Sequence, residues 1–185
     1  MKKWPSICLA LIGMILSLSA YIPTGTIPEP AYTNRVYFLN NDSLISLERA
    51  DADYETVSKV MYTGIMETRY NAFYPKSTRR FKKESLPRMF IKLEAGIDAN
   101  DNPVVLSMGE IKKDQRHFVT AGSKLFGKKD ERKTQVVAVL HKMRDNIYEV
   151  TFENGLLPGE YCVLPIHGPN ATSTMKVKID CFGID

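Results

Sequence analysis

The chain has 185 residues, enough for one domain with a sizeable core, and its 44% hydrophobic and 25% charged residues are those of a globular protein rather than a disordered one. Its 25 basic and 21 acidic residues give a formal net charge of +4, but Lys2 and Lys3 belong to the leader described next, so 23 face 21 in the rest. That near balance excludes the charge profile of a nucleic-acid-binding protein.

Met1-Lys2-Lys3 is followed by an apolar run from Trp4 to Leu16 and by the small residues Ser17, Ser19 and Ala20. A charged start, an apolar middle and a small-residue end make residues 1–20 a secretory signal peptide, with cleavage after Ser19 placing serines at both recognition positions. Cys8 lies too early to accept a lipoprotein anchor. If the leader is not cleaved, Trp4–Ala20 would form about 26 Å of helix, just enough to span a bilayer. The membrane is then met only through the leader, and the expected location is the periplasm, the cell surface or the medium. Residues 21–34 hold Pro23, Pro28 and Pro30 without any period and read as an extended linker.

From residue 35 onward the pattern is that of strands. Val36–Leu39 and Ser43–Arg49 flank an Asn-Asn-Asp turn. Asp51–Tyr62 fits either a helix or a strand by period. Tyr70–Tyr74 and Arg79–Phe81 are short strands broken at Pro75. Met89, Ile91 and Leu93 alternate with charged neighbours. Val104–Met108 leads into a run ending near Val119, and Thr120–Thr134, polar and lysine-rich, reads as the mobile loop of the domain. Gln135–Leu140 is apolar enough for a central strand, and Tyr148, Val150 and Phe152 alternate with Glu149, Thr151 and Glu153. Finally, Glu160–Val163 and Met175–Cys181 form an antiparallel pair across the His167-Gly168-Pro169-Asn170 loop. About nine strands with regular turn signals predict an all-β fold, an antiparallel β-sandwich.

Tyr161 stands just past a Pro-Gly entry, the position from which a tyrosine-corner hydroxyl bonds back to upstream backbone in immunoglobulin-like sandwiches. With Tyr161 and Val163 facing the core beside Val177, Ile179 and Cys181, parity turns Cys162 outward. This opposes a Cys162–Cys181 bridge and gives Cys181 a buried apolar role.

Motifs for chemistry are weak. Gly122–Lys129 nearly matches a P-loop, but Lys129 stands where a magnesium-binding hydroxyl is needed. Asp98, Asn100 and Asn102 begin like a calcium loop, but Pro103 and Gly109 occupy the positions of the required Gly and Glu. His117, His141 and His167 show no zinc spacing. No nucleophile, base and orienter are brought together by any motif around Ser123. No cofactor is therefore expected, and a hydrolase ranks last. The candidate ligand-binding residues are the aromatics Tyr70, Phe73 and Tyr74, as a sugar-stacking platform, and the basic patch Arg79, Arg80, Lys82 and Lys83, as a docking site for acidic groups. Lysines on a strand edge that discourage sheet pairing explain the same patch. Asn41-Asp42-Ser43 and Asn170-Ala171-Thr172 match the glycosylation sequon, and Asp42-Ser43-Leu44 resembles a bacterial O-glycosylation site.

The Leu-x-Pro-Gly-Glu-Tyr entry at 156–161 and the Cys-Phe-Gly-Ile-Asp run at 181–185 resemble an uncharacterised family of secreted, immunoglobulin-like β-sandwich proteins of Bacteroides-type bacteria. Matching pieces upstream are Val36-Tyr37-Phe38-Leu39 with Leu44–Glu48, Ser77-x-x-Arg80-Phe81, and Lys112–Arg116, so the resemblance covers residues 35–185. It implies an immunoglobulin-like fold and an exported location and carries no activity. The expectation is a non-catalytic cell-envelope module that binds a protein or glycan partner, with a small lectin-like protein as the alternative.

Overall fold

The computed structural model describes residues 27–59, 65–101, 103–124, 134–164 and 175–185. The leader, the start of the linker, residues 125–133 of the polar loop with most of the P-loop-like segment, Asn102, and the segment holding His167 and the Asn170 sequon lie outside them.

The described residues form an all-β protein with one 3-10 turn, Lys83–Ser85. Its strands are β1 (Val36–Asn40), β2 (Ser43–Ser46), β3 (Glu48–Lys59), β4 (Ile65–Phe73), β5 (Arg80–Phe81), β6 (Met89–Lys92), β7 (Val105–Lys112), β8 (Gln115–Lys124), β9 (Gln135–Val137), β10 (Val139–Arg144), β11 (Ile147–Thr151), β12 (Gly159–Val163) and β13 (Met175–Ile184). The ambiguous segment after Asp51 is strand, within β3. Left-handed backbone at Asn41, Lys113 and Asn146 turns the chain between β1 and β2, β7 and β8, and β10 and β11. Asparagine suits two of these positions because its short polar side chain tolerates that region.

One sheet has the order β10-β11-β6-β1-β2, and the other runs β12-β13-β3-β4-β8-β7-β9. β7 also pairs with β12, from Leu106↔Val163 to Gly109↔Glu160, so six strands of the second sheet close into a barrel. Only β5 pairs in parallel, laying Arg80 and Phe81 beside Gly183 and Ile184. The antiparallel all-β expectation holds. The closure is additional to it, and strand pairing alone does not establish the immunoglobulin-like sandwich.

Two cores result, divided by β7, β12 and β13. Between the sheets lie Val36, Phe38, Met89, Ile91 and Val150 from one side and Leu106, Tyr161, Val163, Phe182 and Ile184 from the other. Rings link them in a chain: Tyr161 stacks on Phe182 at 5.5 Å, and Phe81 bridges Phe182 to Phe38 at 5.9 and 5.0 Å. Inside the barrel lie Ala50, Ala52, Tyr70, Ala72, Phe118, Cys162, Ile179 and Cys181. The alanines of β3 and β4 leave lumen space that Tyr70 and Phe118 fill, as small barrels require.

This division corrects the cysteine reading. Tyr161 and Val163 face Phe182 and Ile184 in the inter-sheet core, and Cys162 faces inward to the barrel. Cys162 lies directly opposite Cys181, and both are buried free thiols. Parity misled because β12 is buried on both faces from Glu160 to Val163. Cys181 is buried, as expected. Burial pushes both thiols well up in pKa, which suppresses the reactive thiolate. Iodoacetamide is expected to label neither cysteine in the native protein and both after unfolding in urea, read by intact mass.

Tyr161 donates its hydroxyl to the Leu157 carbonyl at 2.7 Å, four residues upstream, as a tyrosine corner does. Tyr161→Phe keeps the ring stacking and strands that contact, at an expected cost of about 1 kcal/mol. Urea denaturation of the two proteins measures it.

Candidate functional site

The predicted aromatic platform does not lie on one face. Tyr70 is 2% exposed inside the barrel, tilted against Tyr54 at 5.0 Å, so its ring is closed to a ligand. Phe73 is half-buried at the end of β4, whereas Tyr74 is 75% exposed with a left-handed φ of 66°. The basic patch is divided too. Arg80 is tied inward, donating to Glu160 Oε1 and, at 2.6 Å, to Asp185 Oδ1. The Arg79 guanidinium lies over the Phe38 ring at 6.0 Å. Lys82 and Lys83 are exposed at the 3-10 turn.

Arg80 belongs to an ion network that seals one end of the barrel. Its centre is Arg116 of β8, 0% exposed, which alternates with Phe118 on the inward face. Arg116 donates to Glu48 Oε1 at 3.0 Å, to the Phe73 carbonyl at 3.2 Å and to the Ser77 hydroxyl, and its Nη1 lies 3.5 Å from Glu160 Oε2. The loop after β4 caps the same carboxylates with its amides, Ser77 to Glu160 at 2.8 Å and Thr78 to Glu48 at 2.6 Å. At Gly183 a Cβ would meet the Arg80 guanidinium and Glu160 Oε1, so a larger residue there would displace the Arg80–Glu160 contact. Every acid in the network is committed to a structural partner, so it closes the barrel and offers no free acid or base.

Burial alone would raise the Glu160 carboxyl, but hydrogen bonds from Ser77 and Arg80 outweigh it and hold its pKa below the ordinary 4.5. Asp185 is lowered as well, by its hydrogen bonds from Arg80. A carboxyl with a depressed folded-state pKa stabilises the fold fully above its unfolded value and loses that contribution as the pH falls through the folded value. The urea midpoint is therefore expected to drop below pH 4.5, and less steeply in Glu160→Gln.

A second polar cluster lies on the outer face of the barrel. Arg69 and Asn71 donate to Glu55 Oε1 at 2.8 and 2.6 Å, and His117 stands across β4–β8 from Asn71. Burial, then Arg69 and Lys112, push the His117 pKa down. Among the described residues, buried Asn71 Oδ1 and His117 Nδ1 have no hydrogen-bond partner. Asp98, which opens the segment that only begins like a calcium loop, accepts the Asn100 amide at 2.8 Å in a local turn.

Arg79 and Arg80 border a depression of about 380 Å³ with Phe38 and Phe81, and two further depressions lie on the outside of β3 and β13. One groove of about 660 Å³ is lined by Tyr32, Asn34, Arg35, Arg49, Lys178 and Asp180, among others. The end of the expected linker builds it. Residues 31–34 turn onto the domain, with Asn34 in left-handed backbone, its amide donating to the Lys92 carbonyl at 2.7 Å and its side chain to Glu94 at 2.9 Å. Arg35 forks onto Asp180 at 3.1 and 3.2 Å, and its guanidinium lies 5.7 Å from the Tyr32 ring and 6.0 Å from that of Tyr37. Tyr32 is left 64% exposed beside these polar groups. A second depression of about 600 Å³ adjoins, lined by Phe73, Tyr74, Thr78, Asp51 and Lys176, and Arg49 borders both.

Sequence reasoning placed Tyr32 and Asn34 in an extended linker and assigned no role to the charged positions of β3 and β13. The signal available was their alternation: Arg49 and Asp51 on one strand, Lys176, Lys178 and Asp180 on the other. Set against family models, curated proteins and solved structures, the chain matches none.

Proposed function

We propose that the chain is an exported, non-catalytic module of a bacterial cell envelope that binds a protein or glycan partner. The observation that carries this reading is the polar groove on β3 and β13, where exposed Tyr32 stands beside the Arg35–Asp180 pair and Arg49. Pre-formed concave sites with a few placed polar groups are what binding uses. The leader-like residues 1–20 and the resemblance at residues 156–161 and 181–185 support export to the periplasm or cell surface. The two sheets facing each other over one core, with the Tyr161–Leu157 bond, support an immunoglobulin-like sandwich whose second sheet has closed.

The lectin-like alternative gains from the same groove, since an aromatic ring beside planar polar side chains is the chemistry of sugar recognition. A glycan array and affinity capture from an envelope lysate, run with the purified protein, Tyr32→Ala and Arg79→Ala/Arg80→Ala, test both readings. Saturable capture lost in Tyr32→Ala and kept in the arginine variant supports a binding module acting through the groove. Absence of any saturable ligand counts against both readings.

A further inference from the structure

We infer that the two depressions form one binding track for an extended acidic glycan, a chain of sugars bearing carboxylates. This deepens the binding-module reading and rests on it. Three observations carry it. First, the depressions share Arg49, and their walls on β13 come from Lys176 and Lys178, two residues apart on the same outward face. A ligand that spans both therefore runs past Arg49 across β3 and β13, from the Tyr74 side to the Tyr32 side.

Second, each depression has an exposed tyrosine, Tyr32 in one and Tyr74 in the other. Tyr74 holds its exposed position with a left-handed φ, a conformation unusual for a bulky side chain. Aromatic faces stack on the C–H faces of sugar rings, and two such faces call for more than one sugar unit.

Third, the track is positive and its cations are not all spent. Four lining cations (Arg35, Arg49, Lys176 and Lys178) face three outward carboxylates, Asp51, Asp180 and, across from Lys176, Asp53. The remaining lining acid, Glu48, is turned to Arg116 and the Thr78 amide. Arg35 is committed to Asp180 and Lys178 to Asp51 at 2.9 Å, whereas Arg49 and Lys176 make no ion pair among the described residues. Arg49 is exposed, and its planar fork matches a carboxylate. An acidic peptide would use the same two cations but has no sugar faces to lay on the tyrosines, so the pair of exposed rings favours the glycan.

Titration calorimetry of the full protein with oligogalacturonates of increasing length tests the track, with neutral oligogalactosides of equal length and an oligoglutamate peptide as comparisons. Affinity for the uronates is expected to rise with length until both depressions are spanned, and to weaken as salt rises. Arg49→Ala is expected to weaken it about tenfold, the loss of one charge-assisted contact. Tyr32→Ala and Tyr74→Ala should each reduce it several-fold, while Lys142→Ala on the distant β10 edge leaves it unchanged. These side chains are exposed, so the urea midpoint of each variant is expected to stay close to that of the parent and shows that it folds. Equal binding of neutral sugars or of oligoglutamate would overturn the inference, as would no uronate binding or full affinity in Arg49→Ala. A partner captured from the lysate without any uronate binding would sink the track alone and leave the module reading standing.

Discussion

Arg116→Met is expected to destabilise the protein by about 3–5 kcal/mol, the cost of leaving buried acids without their cation. The side chain is fully buried, and its removal strips Glu48 of an ion pair and Glu160 of one of its two arginines. The Ser77 hydroxyl and the Phe73 carbonyl lose a donor as well. Methionine nearly preserves the volume, so the loss reports charge rather than a cavity. Equilibrium urea denaturation measures it. Adding Glu48→Gln and Glu160→Gln to Arg116→Met should recover part of the loss, because the buried charge is then removed with its partner. A loss under about 1 kcal/mol would mean that water reaches the network and that the barrel end is open.

Gly109→Ala should cost about 1–3 kcal/mol through overpacking. A Cβ at this position of β7 would stand 2.6 and 2.9 Å from two ring carbons of Phe118, which is buried within the barrel. The ring cannot swing aside, since Tyr70 and the two cysteines occupy the rest of the lumen. Gly109 also pairs with Glu160 across the β7–β12 seam that closes the barrel. The substitution therefore strains closure itself, and the same denaturation experiment reads it. Phe118→Leu combined with Gly109→Ala should restore some of the loss by making room.

Most strands were legible because alternation is a local property. Met89 and Ile91, or Tyr148 and Val150, announce a half-buried strand without reference to anything distant. Tyr161 and its turn were legible for the same reason, the partner carbonyl being four residues away. The run Gln135–Leu140, read as one central strand, is instead split between the edge strands β9 and β10, and Thr120–Lys124, read as loop, is the end of β8. Closure was not legible, since the seam joins β7 to β12, more than fifty residues further on, and no local pattern encodes that pairing. Cys162 was misplaced by the same gap in information, because a strand walled by two cores has no outward face.

Arg116 and Arg80 show the other limit. In sequence they look like members of exposed basic runs, Lys112–Arg116 and Arg79–Lys83. What makes them interior is the arrival of Glu48, Glu160 and Asp185 from strands 44 to 105 residues away. The one local hint was phase, with Arg116 in step with Phe118, Glu48 with Ala50, and Glu160 with Cys162. The groove was missed because half of it comes from residues before β1 that carry no period at all. Their anchoring depends on Glu94, Lys92 and Tyr37, which no local pattern connects to them.

The most direct test of the account is where on the protein a ligand lands. Amide chemical shifts of the isotopically labelled protein, followed while an oligogalacturonate is added, report this residue by residue. The predicted result is saturable shifts at Tyr32–Arg35, Arg49–Asp51, Tyr74 and Lys176–Asp180, with the inter-sheet core and β10 unmoved. Shifts confined to Arg79–Lys83, or spread evenly over the exposed lysines, would contradict it and return the binding face to the other side of the network that Arg80 helps to close.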